Sequence, residues 1–334
     1  MDLFSLTRKL IDIPSVTGAE GEVGRFLESY LHDLGYRVET QEVTPARFNV
    51  IATTGAPSRI VLSTHMDTVP PFIPSREDEE NIYGRGACDA KGIIATQITA
   101  AERLRAAGVN EIGLLFTVDE ELASAGARAA NDHTLSADCR FLINGEPTDN
   151  RLAVGTKGSM RLMITTEGRA AHSAYPEAGE SAVEKLLDVL QSIRECRWPG
   201  DSFFGETTCN IGVLAGGSRP NVIPDQAQAE LAIRLATDVE QVKGLVARAV
   251  AGRARIEYSS AHNPVRLFAV SSFEQCVVRF TTDIPYLSKW GQAILLGPGS
   301  ILDAHTEHEK VSKRELSHAV ELYVKLVGQL GSGL

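Results

Sequence analysis

The fold is decided by Ile60-Val-Leu-Ser-Thr-His65-Met-Asp67, a short apolar run that ends in a histidine and an aspartate. Further runs of strand length and one helical stretch are spaced around it: residues 48–52, 93–107, 112–118 and 141–144. A first helix is predicted from Val23 to Leu34, where apolar residues recur at helical spacing before Gly35. Alternating strands and helices of these lengths predict an α/β fold whose mostly parallel sheet is flanked by helices.

The pattern changes near Gly155, where the order becomes strand, helix, strand, strand, helix, strand. These elements are expected at residues 160–166, 181–194, 209–214, 227–235, 239–250 and 254–259. That order is typical of a ferredoxin-like α+β domain, which we predict as an insertion at 155–263. A strand at 293–296 and a helix at 313–327 follow it. We therefore predict a discontinuous catalytic domain, residues 1–154 and 264–334.

Composition narrows the class of protein. The 334 residues carry a formal net charge of −10, and no cluster of Lys and Arg is present to bind a phosphate backbone. The five cysteines show no repeated spacing, which indicates free thiols in a reducing compartment. The N-terminus lacks the pattern of a signal peptide, and no apolar run approaches the ~18 residues of a membrane helix. These features favour a cytoplasmic protein that binds neither nucleic acid nor membranes.

Five residues of types that bind metals each follow a short apolar run or a glycine-rich turn: His65, Asp89, Glu121, Glu146 and His305. In an open α/β sheet, ligands gather in the crevice beyond the carboxyl ends of the strands. Two imidazoles and three carboxylates that meet there suit a pair of divalent cations, which polarise a carbonyl and activate water. Taken together, these residues predict a two-metal hydrolase.

Two further carboxylates suggest how the chemistry works. The adjacent acids Glu120 and Glu121 repel each other unless a cation or a proton intervenes. We therefore assign Glu121 to a metal and Glu120 to the role of general base. Asp67 is expected to accept the second ring N–H of His65. Each residue alone has an ordinary interpretation: a strand-end histidine with a turn aspartate, a helix-capping Asp89, or a solvated acidic turn.

These motifs resemble the dizinc deacylases and exopeptidases that include acetylornithine deacetylase, succinyl-diaminopimelate desuccinylase and carboxypeptidase G. The resemblance covers nearly the whole chain, and as a set its motifs are highly specific. The motifs are His65-Met-Asp67, Gly84-Arg-Gly-Ala-Cys-Asp89-Ala-Lys-Gly92, Asp119-Glu120-Glu121, Gly145-Glu146-Pro147, Ala171-His172-Ser-Ala-Tyr175-Pro176 and Gly297-Pro-Gly-Ser-Ile-Leu-Asp-Ala-His305.

The resemblance implies a dizinc aminopeptidase-like catalytic domain with a defined ligand set. It assigns His65 and Glu146 to one metal, Glu121 and His305 to the other, and Asp89 to both. It further implies Glu120 as base, Asp67 as the partner of His65, and a cis peptide bond after Asp89. Zinc is the expected metal, with cobalt or manganese as alternatives.

The resemblance also implies roles within the insertion. His172 resembles the histidine that donates a hydrogen bond to the tetrahedral oxyanion, and that reaches across from the partner's insertion in dimeric members. A homodimer through the inserted domain is therefore expected. Asn221 and Arg234 resemble substrate-binding residues, and Arg suits a bidentate grip on a carboxylate. The ordinary alternatives are a surface-loop histidine and an exposed strand arginine that pairs with Glu230.

The substrate is the least determined feature. The run Thr282-Asp283-Ile-Pro-Tyr286 and the glycine-rich approach to His305 look closest to acetylornithine deacetylase, an enzyme of arginine biosynthesis. Asp283 is expected to face a substrate ammonium, or else to be a turn carboxylate. The favoured substrate is a small N-acyl amino acid such as N-acetylornithine. Alternatives are a dipeptidase or carboxypeptidase, succinyl-diaminopimelate desuccinylase, a hydrolase of aminoacyl groups on a carrier protein, and a metal-containing binding protein.

Overall fold

The computed structural model describes residues 1–332 and divides into two compact units. The first unit comprises Met1–Val154, Leu267–Cys276 and the residues from Thr282 onward. The second comprises Gly155–Arg266 and Val277–Thr281. In the part of the chain that the structure describes, no helix has the length and apolar content needed to cross a membrane.

Seven α-helices and eighteen strands are described, in chain order within each class. The helices are α1 Leu3–Ile11, α2 Gly21–Asp33, α3 Lys91–Ala106, α4 Ala125–Ala130, α5 Ala182–Arg194, α6 Val239–Val250 and α7 Lys313–Gly331. The strands are β1 Arg37–Thr44, β2 Arg47–Thr53, β3 Ile60–His65, β4 Arg76–Glu77, β5 Asn81–Tyr83, β6 Ile112–Thr117, β7 Phe141–Asn144, β8 Leu152–Thr156, β9 Gly158–Glu167, β10 Gly200–Asp201, β11 Gly205–Glu206, β12 Thr208–Gly216, β13 Gln226–Leu235, β14 Arg255–His262, β15 Val265–Arg266, β16 Gln275–Val278, β17 Gln292–Leu295 and β18 Lys310–Ser312.

The main sheet of the first unit has the order β1-β2-β6-β3-β7-β17-β8. Its central strands β6, β3, β7 and β17 are parallel, whereas β1, β2 and β8 pair antiparallel with their neighbours. The predicted α/β class is confirmed, and the sheet is mixed because only its centre is parallel. Every residue of β3 and β6 is buried, which explains the apolar runs Ile60–Leu62 and Leu114–Phe116 within them.

Two elements at the N-terminus were not predicted. The helix predicted from Val23 to Leu34 is present as α2, but it is the second helix, because α1 precedes it and is capped by the Asp2 carboxylate. Strand β1 forms an antiparallel hairpin with β2 at the edge of the sheet. Every residue of β1 is exposed or half-buried, and the strand lacks the apolar run found in the central strands. The predicted stop at Gly35 agrees with its left-handed backbone, φ +85°.

The second unit contains the predicted strand–helix–strand–strand–helix–strand order, β9-α5-β12-β13-α6-β14. Its sheet has the antiparallel order β12-β13-β9-β14, the ferredoxin-like arrangement. The side chains of Ser181 and Asp238 cap the two helices. This unit also takes in residues 277–281, which the sequence pattern assigns to the other domain. Within this unit the Lys157 N–H donates to the Val278 carbonyl oxygen at 3.1 Å.

Candidate metal centre

The parallel centre of the main sheet brings most of the metal-type residues to one edge. His65 is the last residue of β3, Glu121 follows β6 and Glu146 follows β7. Because these strands are parallel, their carboxyl ends lie at the same edge of the sheet. Asp89 lies just before α3, and His305 lies in the loop between β17 and β18. The Asp89–Ala90 peptide bond is cis, as predicted.

The carboxylate of Asp89 lies between two histidines. Its Oδ1 is 2.9 Å from His65 Nε2, and its Oδ2 is 3.2 Å from His305 Nε2. His65 Nε2 is in turn 3.9 Å from Glu146 Oε2, and His305 Nε2 is 3.0 Å from Glu121 Oε1. The two oxygens of Asp89 thus face two separate His–Glu pairs, the arrangement in which one carboxylate bridges two cations.

The electrostatics of these residues fit cations. Desolvation lowers the pKa of His65, but hydrogen bonds to Asp67 and Asp89 outweigh it and raise the pKa well above its usual value. Hydrogen bonds to Asp89 and Glu121 raise the pKa of His305 to about 10. Desolvation raises the pKa of Glu146, whose buried Oε1 has no hydrogen-bond partner among the described residues. A buried carboxylate oxygen without a hydrogen-bond partner favours a cation beside it, and imidazole with carboxylate suits zinc.

Glu120 adjoins the cluster but belongs to neither His–Glu pair. Its backbone N–H donates to Asp67 Oδ1, 3.0 Å, and the residue is half-buried. Desolvation, followed by the charge of Glu146, raises the pKa of the Glu120 carboxyl well above its ordinary value. A carboxyl with a raised pKa beside a cation site is suited to accept a proton from water and to release it later.

Asp67 lies beside His65, as predicted, and contacts it with two oxygens. His65 Nδ1 lies 2.9 Å from the backbone carbonyl oxygen of Asp67 and 3.5 Å from its Oδ1. The Asp67 carboxylate also accepts the N–H groups of Glu120 and Glu121, at 3.0 and 3.2 Å, and the hydroxyl of Thr17, at 2.8 Å. Asp67 therefore orients the loop that carries these two acids as well as His65.

Sequence reasoning did not identify Glu309, which supports Asp89. Its buried carboxylate accepts the N–H groups of Gly86 at 2.9 Å and of Cys88 and Asp89 at 3.2 Å. Its second oxygen accepts a 2.7 Å hydrogen bond from the buried Arg85 guanidinium. One side chain near His305 thus organises the loop that carries Asp89. No motif in the sequence predicts this contact.

Asp283, predicted to face a substrate ammonium or to be a turn carboxylate, is a buried residue of the first unit. Asp283 is 1% exposed, and its Oδ2 accepts the Thr117 hydroxyl at 2.8 Å. Desolvation raises its pKa to about 6. The residue directly precedes a short 3₁₀ turn, Ile284–Tyr286, which agrees with the alternative of a turn carboxylate.

His172 and Asn221 belong to neighbouring loops of the second unit. The Ser173 N–H donates to the Asn221 carbonyl oxygen at 3.0 Å, and both His172 and Asn221 are exposed. His172 Nδ1 accepts the Ala174 N–H at 3.1 Å. A neutral ring held in this way carries its proton on Nε2, which is then a hydrogen-bond donor.

Arg234 lies near the end of β13 and is half-buried within the second unit. Its guanidinium donates to the hydroxyl of Thr281 at 3.0 Å, which orients the side chain. The alternative partner considered for it, Glu230, lies on the same strand four residues earlier.

Comparison with known proteins gives one family. The model of peptidase family M20/M25/M40 matches residues 61–329. A peptidase M20 domain-containing protein of Schizosaccharomyces pombe is 35% identical over 98% of this chain and 84% of its own length. A probable carboxypeptidase of Uncinocarpus reesii is 36% identical over 98% of this chain and 86% of its own length.

A solved structure supports the fold. The M20 family metallo-carboxypeptidase of Sulfolobus solfataricus superimposes with a TM-score of 0.79 at 17% identity, covering 97% of this chain and 98% of that protein. Two of these three proteins are named as carboxypeptidases, and none is named as an acetylornithine deacetylase.

Proposed function

The chain belongs to peptidase family M20/M25/M40, metal-dependent hydrolases of amide bonds, and we propose that it is a two-metal carboxypeptidase. It would release the C-terminal residue from short peptides or the amino acid from N-acyl amino acids. One observation carries the two-metal part of the proposal: the two oxygens of Asp89 face different His–Glu pairs. The ordinary alternatives for each residue do not account for that convergence.

Each His–Glu pair would hold one cation, with Asp89 shared between them. His65 and Glu146 form one pair, and His305 and Glu121 form the other. Zinc is the proposed metal, with cobalt or manganese as alternatives. When bound, the cations supply Lewis acidity that polarises the scissile carbonyl and lowers the pKa of water.

The chain's own residues supply proton transfer and orientation. Glu120 accepts a proton from the attacking water and returns it to the departing amine. Asp67 keeps Glu120 in place through the Glu120 N–H and orients the His65 ring through its own carbonyl oxygen. A non-catalytic binding protein would have no use for a carboxyl such as Glu120 beside a complete ligand set.

For the second unit we propose substrate recognition and stabilisation of the transition state. Arg234 is proposed to bind the substrate carboxylate in bidentate fashion, and Asn221 to hydrogen-bond the substrate. His172 is proposed to donate its Nε2–H to the tetrahedral oxyanion, from its own chain or from the partner in a homodimer that assembles through this unit. We also propose that the protein is cytoplasmic.

The substrate class is tested by measuring amide hydrolysis across a matched panel, with zinc and after chelation. The panel pairs a short peptide and its C-terminally amidated form with N-acetylornithine and N-succinyl-diaminopimelate. A carboxypeptidase cleaves the free-acid peptide, loses turnover on the amide and stops when chelated. Turnover of N-acetylornithine in preference to peptides would instead favour the second candidate, a deacetylase of arginine biosynthesis. A metal-bound protein inert towards the whole panel would point to a substrate on a carrier protein or to a binding role.

Substitution of His172 tests its assigned role. Because an oxyanion donor acts mainly in the transition state, His172→Ala is expected to lower kcat about 10²- to 10³-fold with a smaller change in KM. Steady-state kinetics on the best panel substrate measures this. His32→Ala, which removes an exposed histidine of α2, is the matched control. A rise in KM with unchanged kcat would make His172 a ground-state binding residue.

A further inference from the structure

Glu120 and Glu121 share a tight turn, residues 119–124, whose two ends have left-handed backbone. Asp119 has φ +72° and Ser124 has φ +54°. Residues other than glycine adopt this conformation at a cost, and it persists where the surroundings enforce it. Whatever holds the ends of the turn therefore sets the direction of the two carboxylates inside it.

Asp119 closes this turn with both its main chain and its side chain. Its carbonyl oxygen accepts the N–H groups of Ala123 at 3.1 Å and of Ser124 at 2.6 Å. Its Oδ2 accepts the Ala125 N–H at 3.2 Å. The position of the Asp119 carboxylate is thus coupled to the shape of the whole turn.

The other carboxylate oxygen of Asp119 is held by an ion-pair network. Arg47 Nη2 donates to Asp119 Oδ1 at 2.7 Å. The same guanidinium binds Glu20 in bidentate fashion, with Nε–Oε2 2.7 Å and Nη2–Oε1 2.6 Å. The Glu20 and Asp119 side chains are 0% and 6% exposed, and that of Arg47 is 17% exposed. Because the guanidinium of Arg47 is planar and bound to Glu20 at two points, its donor to Asp119 has a fixed direction.

Two members of this network, Glu20 and Arg47, come from the part of the chain that the family model does not cover. Glu20 lies at the start of α2 and Arg47 begins β2, whereas the match begins at residue 61. The same N-terminal region supplies Thr17, whose hydroxyl donates to Asp67, the residue that accepts the Glu120 N–H. The N-terminal region therefore contacts both Asp119 and Asp67, the two residues that hold the turn.

We propose that Arg47, held by Glu20, is a positioning residue that fixes the Asp119 turn and thereby places Glu120 and Glu121. The proposal rests on the proposed function, in which Glu120 is the base and Glu121 a ligand of one cation. Arg47 touches neither substrate nor cation in this scheme. Loss of Arg47 should therefore weaken mainly one of the two cation sites, because Glu121 belongs to the His305 pair and not to the His65–Glu146 pair.

The test is calorimetric zinc titration of the full-length chain together with steady-state kinetics of Arg47→Met. Loss of a supporting contact typically weakens metal binding or activity about 10- to 100-fold. We expect that loss at one of the two zinc sites, near-normal affinity at the other, and a similar fall in kcat with little change in KM. Arg103→Met, which breaks the exposed pair between Arg103 and Glu321, is the matched control and should keep wild-type values.

Two milder substitutions test the same contact if Arg47→Met folds poorly. Glu20→Gln removes the charge and one of the two acceptors that hold the guanidinium, and should give the same selective defect at smaller size. Arg47→Lys keeps a charge near Asp119 without the fork and should recover part of the loss. Wild-type zinc affinities and kcat in both variants would overturn the inference.

A double-substitution cycle tests whether Arg47 acts through Asp119. The partner variant is Asp119→Asn, because asparagine tolerates left-handed backbone and its side-chain oxygen can still accept the Ala125 N–H. If Arg47 acts through this carboxylate, the losses of Arg47→Met and Asp119→Asn combine to less than their product. Fully multiplicative losses in kcat would contradict the pathway. A wild-type chain that binds no zinc and cleaves no amide would refute the proposed function instead.

Discussion

Glu120→Gln is expected to abolish almost all turnover while both metals remain bound. Positioned acid–base groups typically contribute on the order of 10²–10⁴-fold, and this one serves both proton transfers, so the fall in kcat should lie at the upper end of that range. Gln keeps the shape and the backbone hydrogen bond to Asp67 but cannot accept a proton. Metal content should be unchanged because Glu120 belongs to neither His–Glu pair.

The measurement combines elemental analysis with kcat and KM on the best substrate, and Glu120→Ala should behave in the same way. Glu22→Ala, which removes an exposed acid of α2, is the control for loss of a carboxylate. The acidic limb of the pH profile of kcat should also disappear, since it reports protonation of the base. A variant that retains a tenth or more of the wild-type kcat would show that another group takes the proton.

The central strands could be predicted because strands buried on both faces contain runs of consecutive apolar residues. Strands β3 and β6 are buried on both faces, and each contains a run of consecutive apolar residues, from Ile60 and from Leu114. Strand β1 lies at the sheet edge with one face in solvent, and its polar sequence contains no such apolar run. Helix α1 is different, since Leu6 and Leu10 recur at helical spacing after the capping residue Asp2 and the signal was readable.

The site divides in a similar way. Residues such as His65 and Glu146 could be selected from the sequence because residue type and strand-end position together point to one edge of the sheet. Arg47 and Glu309 could not, because they act on residues 72 and 220 positions away and each looks like an ordinary charged residue. Asp283 shows a third limit, since a sequence gives the carboxylate but not its burial.

Asp89→Ala is expected to lose both metals, whereas loss of a single His–Glu partner should weaken mainly one. The Asp89 carboxylate lies within 2.9 Å of His65 Nε2 and within 3.2 Å of His305 Nε2, so its removal strips one ligand from each proposed site. The loss in affinity should exceed the 10- to 100-fold typical of supporting residues, because a direct ligand is removed. Elemental analysis after gel filtration and calorimetric titration would measure it.

Thermal unfolding supplies an independent readout that needs no substrate. A ligand at 100 times its Kd stabilises the folded state by about 2.7 kcal/mol, and a 100-fold weaker site gains only about 0.4 kcal/mol at the same concentration. Wild-type protein should therefore gain stability on addition of zinc, and Asp89→Ala should gain almost none. Asp33→Ala, at the exposed end of α2, should keep the full gain. If Asp89→Ala still bound two zinc ions with wild-type affinity, Asp89 could not bridge them, and the proposed two-metal site would have to be rejected.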